Sequence, residues 1–588
     1  MFDFKGLITA LFSREQQQGV HDYKSATVMM QELPESDILQ AHIEIVKALR
    51  QLNSNPRISL KERMRTVPYL DEKARSLQDH LIEVYSGSLI DDHAAPHQVL
   101  PSILAYWHQM AEAYRLCIKQ ALQSGTRHLE QQLHLFIVRA LLHYNQEVKW
   151  GYLRYMEIDG RVWRNLNRVY HYAEHLKLIT TPVQPYPEAE LTDARREYIQ
   201  PLMLSLSMPD KLQPSQIELV WHWLRRWAGR IELELQIRPN RQLFAVNIAG
   251  STPPKRLRRD MVGDNWRYWF TEALVQHARD VHDQLERGAK PEAHGLPIET
   301  ADPAHLELMH KLLNLWSRDI APPVRRFERQ DIRKRVQVVR GLDDVIRFLG
   351  GHGSGSHRLI DSEHWVLENE SSGGYGMNYT GKGDDKLLVG ELVGLGQTEG
   401  RSFTVGIIRR ITKHRDGHVH VGVERLSANA VVVELSQMQG DRTFQGLYTT
   451  EGTGSTDRFL MLPQTFFAPH REFLLSAQGR RYRIRMDPAL EHSGHTAIAR
   501  FSVLERLESA PRQPAAPHSA NGATHTNGNA LNGHAAKAPG VNGTGNHGAT
   551  GGTVPRPVQP RPATDAGLNG HAPRPQGNAM PDTGPMLH

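Results

Sequence analysis

The chain reads as an α+β protein: a long helical half, an antiparallel β-barrel with a β extension, and a disordered C-terminal tail. Three observations carry this reading. Apolar residues recur at helical spacing through roughly the first three hundred residues. From about Val336 to Leu507 the pattern changes to short alternating or apolar runs between turn signals (RVQVV, HWVLEN, FTVGIIRRI, HVHVGVERL, AVVVEL, RYRIRM), which is how many short strands of a barrel look. Beyond about Pro511 the sequence is Pro, Gly, Ala, Asn, His and Thr with almost no large apolar side chains, so it cannot bury enough surface to offset its ordering entropy.

Residues 1–35 form an N-terminal segment in which Phe4, Leu7, Ile8 and Leu11 share a short apolar face. Residues 36–320 form the mostly helical domain. In SDILQAHIEIVKALRQLN, Ile38, Ala41, Ile45, Ala48, Leu49 and Leu52 fall on one side, with Ser36 or Asp37 as the N-cap. Two further long apolar-periodic stretches, LPSILAYWHQMAEAYRLCIKQAL and RHLEQQLHLFIVRALLHYNQEVKWGYLRYM, call for stacked helices. Ser215 and Glu218 fit a capping box opening a helix whose Trp221, Leu224 and Ala228 share a face. Alternation through IELELQIRPNRQLFAVNI predicts a β-hairpin near 231–248 turning at Pro239-Asn240, and a helix is expected around DNWRYWFTEALVQHARDVHDQLERG. Residues 321–433 then form the barrel with an arginine-rich entry, 434–510 the β extension and 511–588 the tail.

Composition narrows the function classes. With 588 residues the chain holds two to four domains. Its single cysteine, Cys117, excludes a disulfide framework or a Cys-based zinc module and fits a reducing compartment. No apolar run approaches the roughly 18 residues of a membrane span, and the N-terminus lacks a small-residue cleavage site, so a cytoplasmic protein is expected. The net charge of +6 is concentrated: residues 325–340 carry seven Lys/Arg against Glu328 and Asp331, a local +5, and the tail from Pro511 carries +3. The remainder is slightly acidic, which argues against general nucleic-acid binding and for a small anionic ligand at one segment.

Two clusters have the chemistry for such a ligand. In APPVRRFERQDIRKRVQVV, Arg325, Arg329 and Arg333 stand four apart, flanked by Arg326, Lys334 and Arg335. Guanidinium forks donate two parallel hydrogen bonds to phosphate oxygens or guanine edges and stack on bases. In WVLENESSGGYGM, Asn369-x-Ser371-x-x-Gly374 offers short hydrogen-bonding side chains at a strand end, and glycines allow close backbone approach.

These residues resemble the signature of the PilZ domains, bacterial receptors for cyclic di-GMP: Arg-x-x-x-Arg before the first strand (Arg329, Arg333), then Asp/Asn-x-Ser-x-x-Gly (Asn369, Ser371, Gly374). VGELVGL, VGIIRRI and VHVGVERLS are similar to the later strands. The resemblance spans about Arg325 to Ser427 and leaves the helical half uncovered. It implies a six-stranded barrel in which Arg329 and Arg333 grip phosphates and guanines, Asn369 and Ser371 hold a guanine, and Gly374 keeps its strand close. Arg325, Arg326 and Arg335 are additional candidates, Arg325/Arg329 being a competing pair. The glycine- and histidine-rich GGHGSGSHR lengthens the first hairpin. The resemblance further implies a receptor that is not an enzyme, needs no cofactor or metal, and passes its signal to protein partners through the helical domain. The alternative is a barrel that has lost nucleotide binding and serves as an interaction scaffold.

Catalytic motifs fare less well. His171-Tyr-Ala-Glu174-His175 spells a zinc-peptidase pattern, yet Trp163, Leu166, Tyr170 and Ala173 occupy the opposite arc, so both histidines read as solvent-facing. His418 and His420 share a strand face without a third ligand, and Glu272-Ala-Leu, a tripeptide of cyclic di-GMP phosphodiesterases, lacks the alternating β-α series such an enzyme needs.

Overall fold

The computed structural model describes residues 19–88, 96–125, 129–238, 240–318, 327–350, 362–381, 387–396, 403–438, 442–449, 458–477, 479–493 and 495–507. The N-terminal apolar face at Phe4 to Leu11, the GGHGSGSHR stretch beyond Gly350, Arg325 and Arg326, and the tail from Pro511 lie outside them.

The helical region comprises α1 (Tyr23–Gln31), α2 (Ile38–Ser54), α3 (Leu60–Ser88), α4 (Pro96–Ser124), α5 (Glu130–Leu153), α6 (Gly160–His175), α7 (Ala194–Leu206), α8 (Pro214–Trp227), α9 (Glu272–Glu286) and α10 (Pro303–Trp316). Asp37 caps α2 by accepting from Gln40 N, and Ala41, Ile45, Ala48, Leu49 and Leu52 are buried as their spacing required. One apolar core runs from Val20 to Trp316. It encloses a polar knot: the buried Asp71 accepts from the hydroxyls of Tyr106 (2.9 Å), Tyr114 (2.7 Å) and Tyr186 (2.9 Å), with His143 at 3.3 Å and Arg139 at 3.8 Å. Buried polar groups in such number persist because they satisfy one another.

Three local expectations are corrected. The hairpin near 231–248 does not form: β1 (Phe244–Asn247) lies between β2 (Lys255–Arg256) and β3 (Trp266–Trp269), so both of its edges are already paired. As a strand the Ile231–Ile237 stretch makes a single bridge, from Glu234 to Tyr268 on the far side of β3, and leaves Leu235 and Ile237 exposed. The helix expected from Asp264 starts at Glu272, since Trp266–Trp269 is taken by β3. The start of α8 is bonded by Gln216, whose Oε1 accepts from Gln213 N (3.0 Å), rather than by Ser215 and Glu218, because Pro214 holds the first helical position.

The β half comprises β4 (Gln330–Arg340), β5 (Ser362–Ser371), β6 (Gly374–Tyr379), β7 (Leu392–Gly396), β8 (Phe403–Lys413) and β9 (Val419–Ser427), closed as a barrel in the order β4-β5-β6-β9-β8-β7. Val336, Val338, Trp365, Leu367, Met377, Val393, Leu395, Ile408, Ile411, Val421 and Val423 fill it. The β extension is itself a closed barrel. Its strands β10 (Ala430–Gln437), β11 (Thr443–Thr449), β12 (Phe459–Pro463), β13 (Glu472–Ala477), β14 (Arg480–Ser493) and β15 (Thr496–Leu507) run in the order β10-β11-β12-β15-β14-β13, which is the connectivity of the first barrel repeated. Closure leaves no unpaired edge strand, which explains how so short a segment is stable with its own core of Val433, Leu435, Leu460, Leu462, Phe473, Leu475, Ile484 and Met486.

A short helix, α11 (Leu342–Gly350), joins the barrels. Leu342, Val345 and Ile346 pack with Val339, Leu392, Val405 and Ile407 of the first barrel and with Leu447, Met461 and Ile498 of the second.

The helical region docks on the first barrel around Tyr155. After α5 the chain turns through Tyr155, whose φ of +57° is unusual for a bulky side chain. The side chain is 4% exposed within the core of the barrel. Its hydroxyl accepts from Val389 N (3.2 Å) and its carbonyl accepts from Lys413 N (2.8 Å), while Glu157 N donates to Lys413 O (3.0 Å). Around this plug lie Asp159–Arg415 (2.5 Å), Glu157–His414 (3.2 Å) and Asp210–Arg410 (2.5 Å).

Candidate ligand-binding site

The two sequence clusters meet in the β4–β5–β6 ladder. Gln330 pairs with Glu370 and Asp331 with Asn369, and the register then shifts before Lys334 meets Leu367. Ile332 and Arg333 therefore share the space opposite Glu368, a β-bulge of the kind that re-aims side chains. Arg329 and Arg333 stand two residues on either side of the residue registered with Asn369, about 7 Å each way along an extended chain. Both are exposed, and among the described residues neither has a hydrogen bond or ion pair. Arg335 lies opposite Val366, one step further into the ladder.

The β5–β6 connection is tight. Ser371 pairs with Gly374, and Ser371 Oγ donates to Gly374 O at 3.3 Å. Asn369 pairs with Gly376, and its carboxamide lies so close over that glycine that a Cβ there would come within 2.5 Å of Oδ1. Asn369 Oδ1 is buried, and among the described residues nothing donates to it. At Gly374 a Cβ would lie 2.2 Å from the carbonyl oxygen of Val423 on β9, so this position admits only glycine while β6 and β9 stay paired. Arg425 N donates to Gly373 O (3.1 Å), tying the turn to the same strand.

Two contributors were not legible in the motif. The ring of Phe327, two residues before Arg329, sits on Gly373, where a Cβ would lie 2.8 Å from Cδ2. Its only sequence signal is an aromatic residue among arginines. Glu368, displaced at the bulge, takes His420 Nδ1 at 3.2 Å, so His420 has a carboxylate partner rather than His418. His418 Nδ1 lies 3.2 Å from Asn378 Nδ2. At the other motif, Glu174 clamps Arg267 through Nε (2.7 Å) and Nη2 (2.8 Å), and His171 is solvent-exposed. The glutamate a peptidase would use as its base thus already serves as an ion-pair partner.

A six-stranded antiparallel barrel entered by an arginine segment, with an Asn-x-Ser-x-x-Gly turn after its second strand, defines a receptor barrel of the PilZ type. Comparison with protein families agrees: residues 24–239 match "Cyclic-di-GMP receptor FimW, N-terminal domain", and residues 352–431 match "Cyclic-di-GMP receptor FimW, middle PilZ domain". The chain belongs to this family of cyclic di-GMP receptors, in which a helical domain precedes the PilZ barrel. The second match includes Asn369, Ser371 and Gly374 and begins after Arg329 and Arg333. No curated protein and no solved structure matches the chain. No helix among the described residues is long and apolar enough to cross a membrane.

Proposed function

We propose that this chain is a cytoplasmic effector that binds cyclic di-GMP on its first barrel and passes the signal to protein partners through the helical domain, without catalysis. Arg329 and Arg333 donate to the phosphates and to guanine edges, Asn369 and Ser371 hold a guanine, and Gly374 keeps β6 against β9. Arg335, with Arg325 and Arg326, contributes further positive charge. The observation that carries this reading is the register: a buried acceptor with no partner, Asn369 Oδ1, is bracketed by two arginines that are likewise unpaired among the described residues. A guanine offers donors to the one while the phosphates accept from the others.

The route outward follows β9. This strand carries Val423 and Arg425 beside the Gly373–Gly374 turn, and begins at Val419 just past the Lys413–Arg415 segment on which Tyr155, Glu157 and Asp159 are seated. Ligand held between the arginines and the turn alters the footing of the helical domain through this strand.

Thermal melting tests the proposal. A ligand that binds only the folded state adds about 2.7 kcal/mol at a hundredfold excess over Kd. Cyclic di-GMP, and not GMP, is expected to raise the melting temperature of the wild type and to leave Asn369→Ala almost unmoved. An unshifted wild type overturns the proposal. It would favour the scaffold reading, which has one observation behind it: the second barrel repeats the strand order with only Ala428 and Asn429 between β9 and β10, so the fold also exists here without an arginine entry.

A further inference from the structure

Phe327 is a large apolar residue that the fold does not bury. Its side chain remains 48% exposed, although one side of its ring is seated on the turn at Gly373. The contact is close: a Cβ at residue 373 would lie 2.8 and 2.9 Å from Cδ2 and Cε2, so a larger residue there shifts the ring. Glycine at 373 lets the ring approach the backbone, whereas at 374 it is required by the carbonyl of Val423. The ring ends up on the turn that carries Ser371 and Gly374, two residues from Arg329 in the chain.

A half-exposed aromatic ring that touches this turn and stands two residues from an arginine unpaired among the described residues has the parts of a stacking platform. Proteins that hold nucleic-acid bases use such rings, and the interaction tolerates any base because every base has a π-face. The plainer role for Phe327 is to pin the arginine segment onto the turn by apolar contact. A leucine would serve that role equally well.

We propose that Phe327 stacks on a guanine of the bound dinucleotide and sets the affinity of the site. This rests on the reading of the site given above. The arginines fix the phosphates and Asn369 fixes the edge of the base, and Phe327 supplies its face.

The test is titration of the full chain with cyclic di-GMP, following heat and the ligand's guanine H8 proton resonance. Wild type is expected to bind with H8 shifted upfield by the ring current. Phe327→Leu, which keeps an apolar contact on Gly373, is expected to melt like wild type, to bind roughly 5- to 150-fold more weakly, and at saturation to lose the upfield shift. Phe327→Tyr and Phe327→Trp, which keep a π-face, are expected to stay within a few-fold of wild type with the shift preserved. Leucine binding as tightly as wild type, or more weakly with the upfield shift intact at saturation, overturns the stacking role while leaving the site reading in place. Wild type that shows no saturable binding overturns both.

Discussion

At the scale of single residues, Gly374 and Asp71 show how little freedom the critical positions have. Gly374→Ala puts a methyl 2.2 Å from the carbonyl oxygen of Val423, and relieving it requires β6 to part from β9. Overpacking of this kind costs about 1–3 kcal/mol, so a lower melting temperature is expected together with weaker ligand binding, since the turn moves with the strand. An unchanged melting temperature would mean that the two strands yield freely. Burial alone would push the Asp71 carboxyl up, but His143, Arg139 and the tyrosine hydroxyls hold it at about 2, below its ordinary 3.8. A lowered carboxyl stabilises the fold above the unfolded value and loses that contribution as pH falls from about 4 toward about 2. Asp71→Asn leaves Arg139 its Glu72 partner at 2.9 Å but replaces the carboxylate that accepts from three tyrosine hydroxyls with an amide, and is expected to cost about 1–3 kcal/mol at neutral pH, with a flatter loss of stability below pH 4 in acid denaturation. A variant that melts like wild type at neutral pH would contradict the role given to this knot.

At the scale of elements, the plug formed by Tyr155 between α5 and α6 deserves separation from its surroundings by mutation. Truncating a buried aromatic side chain costs about 3–5 kcal/mol, and here it also strips the acceptor from Val389 N. Tyr155→Ala is expected to uncouple melting of the helical region from the first barrel, visible as two calorimetric transitions and faster amide exchange at Lys413. A single unchanged transition would show that the flanking ion pairs suffice. Nearby, at the open end of β4 and β7, Glu391 lies 3.6 Å from Arg340, and burial pushes it up to about 7 despite that partner. A raised carboxyl stabilises the fold below its ordinary 4.5 and loses that contribution as pH rises through 7. Glu391→Gln is expected to flatten the pH dependence of the melting temperature between pH 5 and 7, and a variant that keeps the wild-type slope would rule Glu391 out as its source. Elements such as α2 and the apolar face of α6 were legible because a 3.6-residue period leaves little choice of face. The hairpin near 231–248 was misread because alternation specifies a strand-like chain without specifying its partner, and β1 found better ones in β2 and β3. α11 escaped notice although Leu342, Val345 and Ile346 have helical spacing, since a nine-residue helix between strands offers less than three turns of pattern.

At the scale of the whole molecule, the chain combines a helical domain with two barrels of one connectivity, and only the first has an arginine entry. The order of the halves and the motif residues were open to reading because their signals are local: Asn369, Ser371 and Gly374 lie within six residues, and Arg329 and Arg333 within five. Closure of the β extension into a barrel was not, because which strand pairs with which is decided by contacts far apart in sequence, as between β10 and β13. Nor was the bulge that places Arg333 opposite Glu368, since register is a property of two strands and not of one. The positive charge now has a place: its densest run enters the ligand barrel, where Arg329 and Arg333 are unpaired among the described residues. Calorimetric titration of the full chain with cyclic di-GMP, in wild type and in Arg329→Ala and Arg333→Ala, tests this most directly. The account expects saturable binding at micromolar concentration or tighter, abolished by either substitution at an unchanged melting temperature; absence of binding heat in wild type, or binding that survives both substitutions, would contradict it.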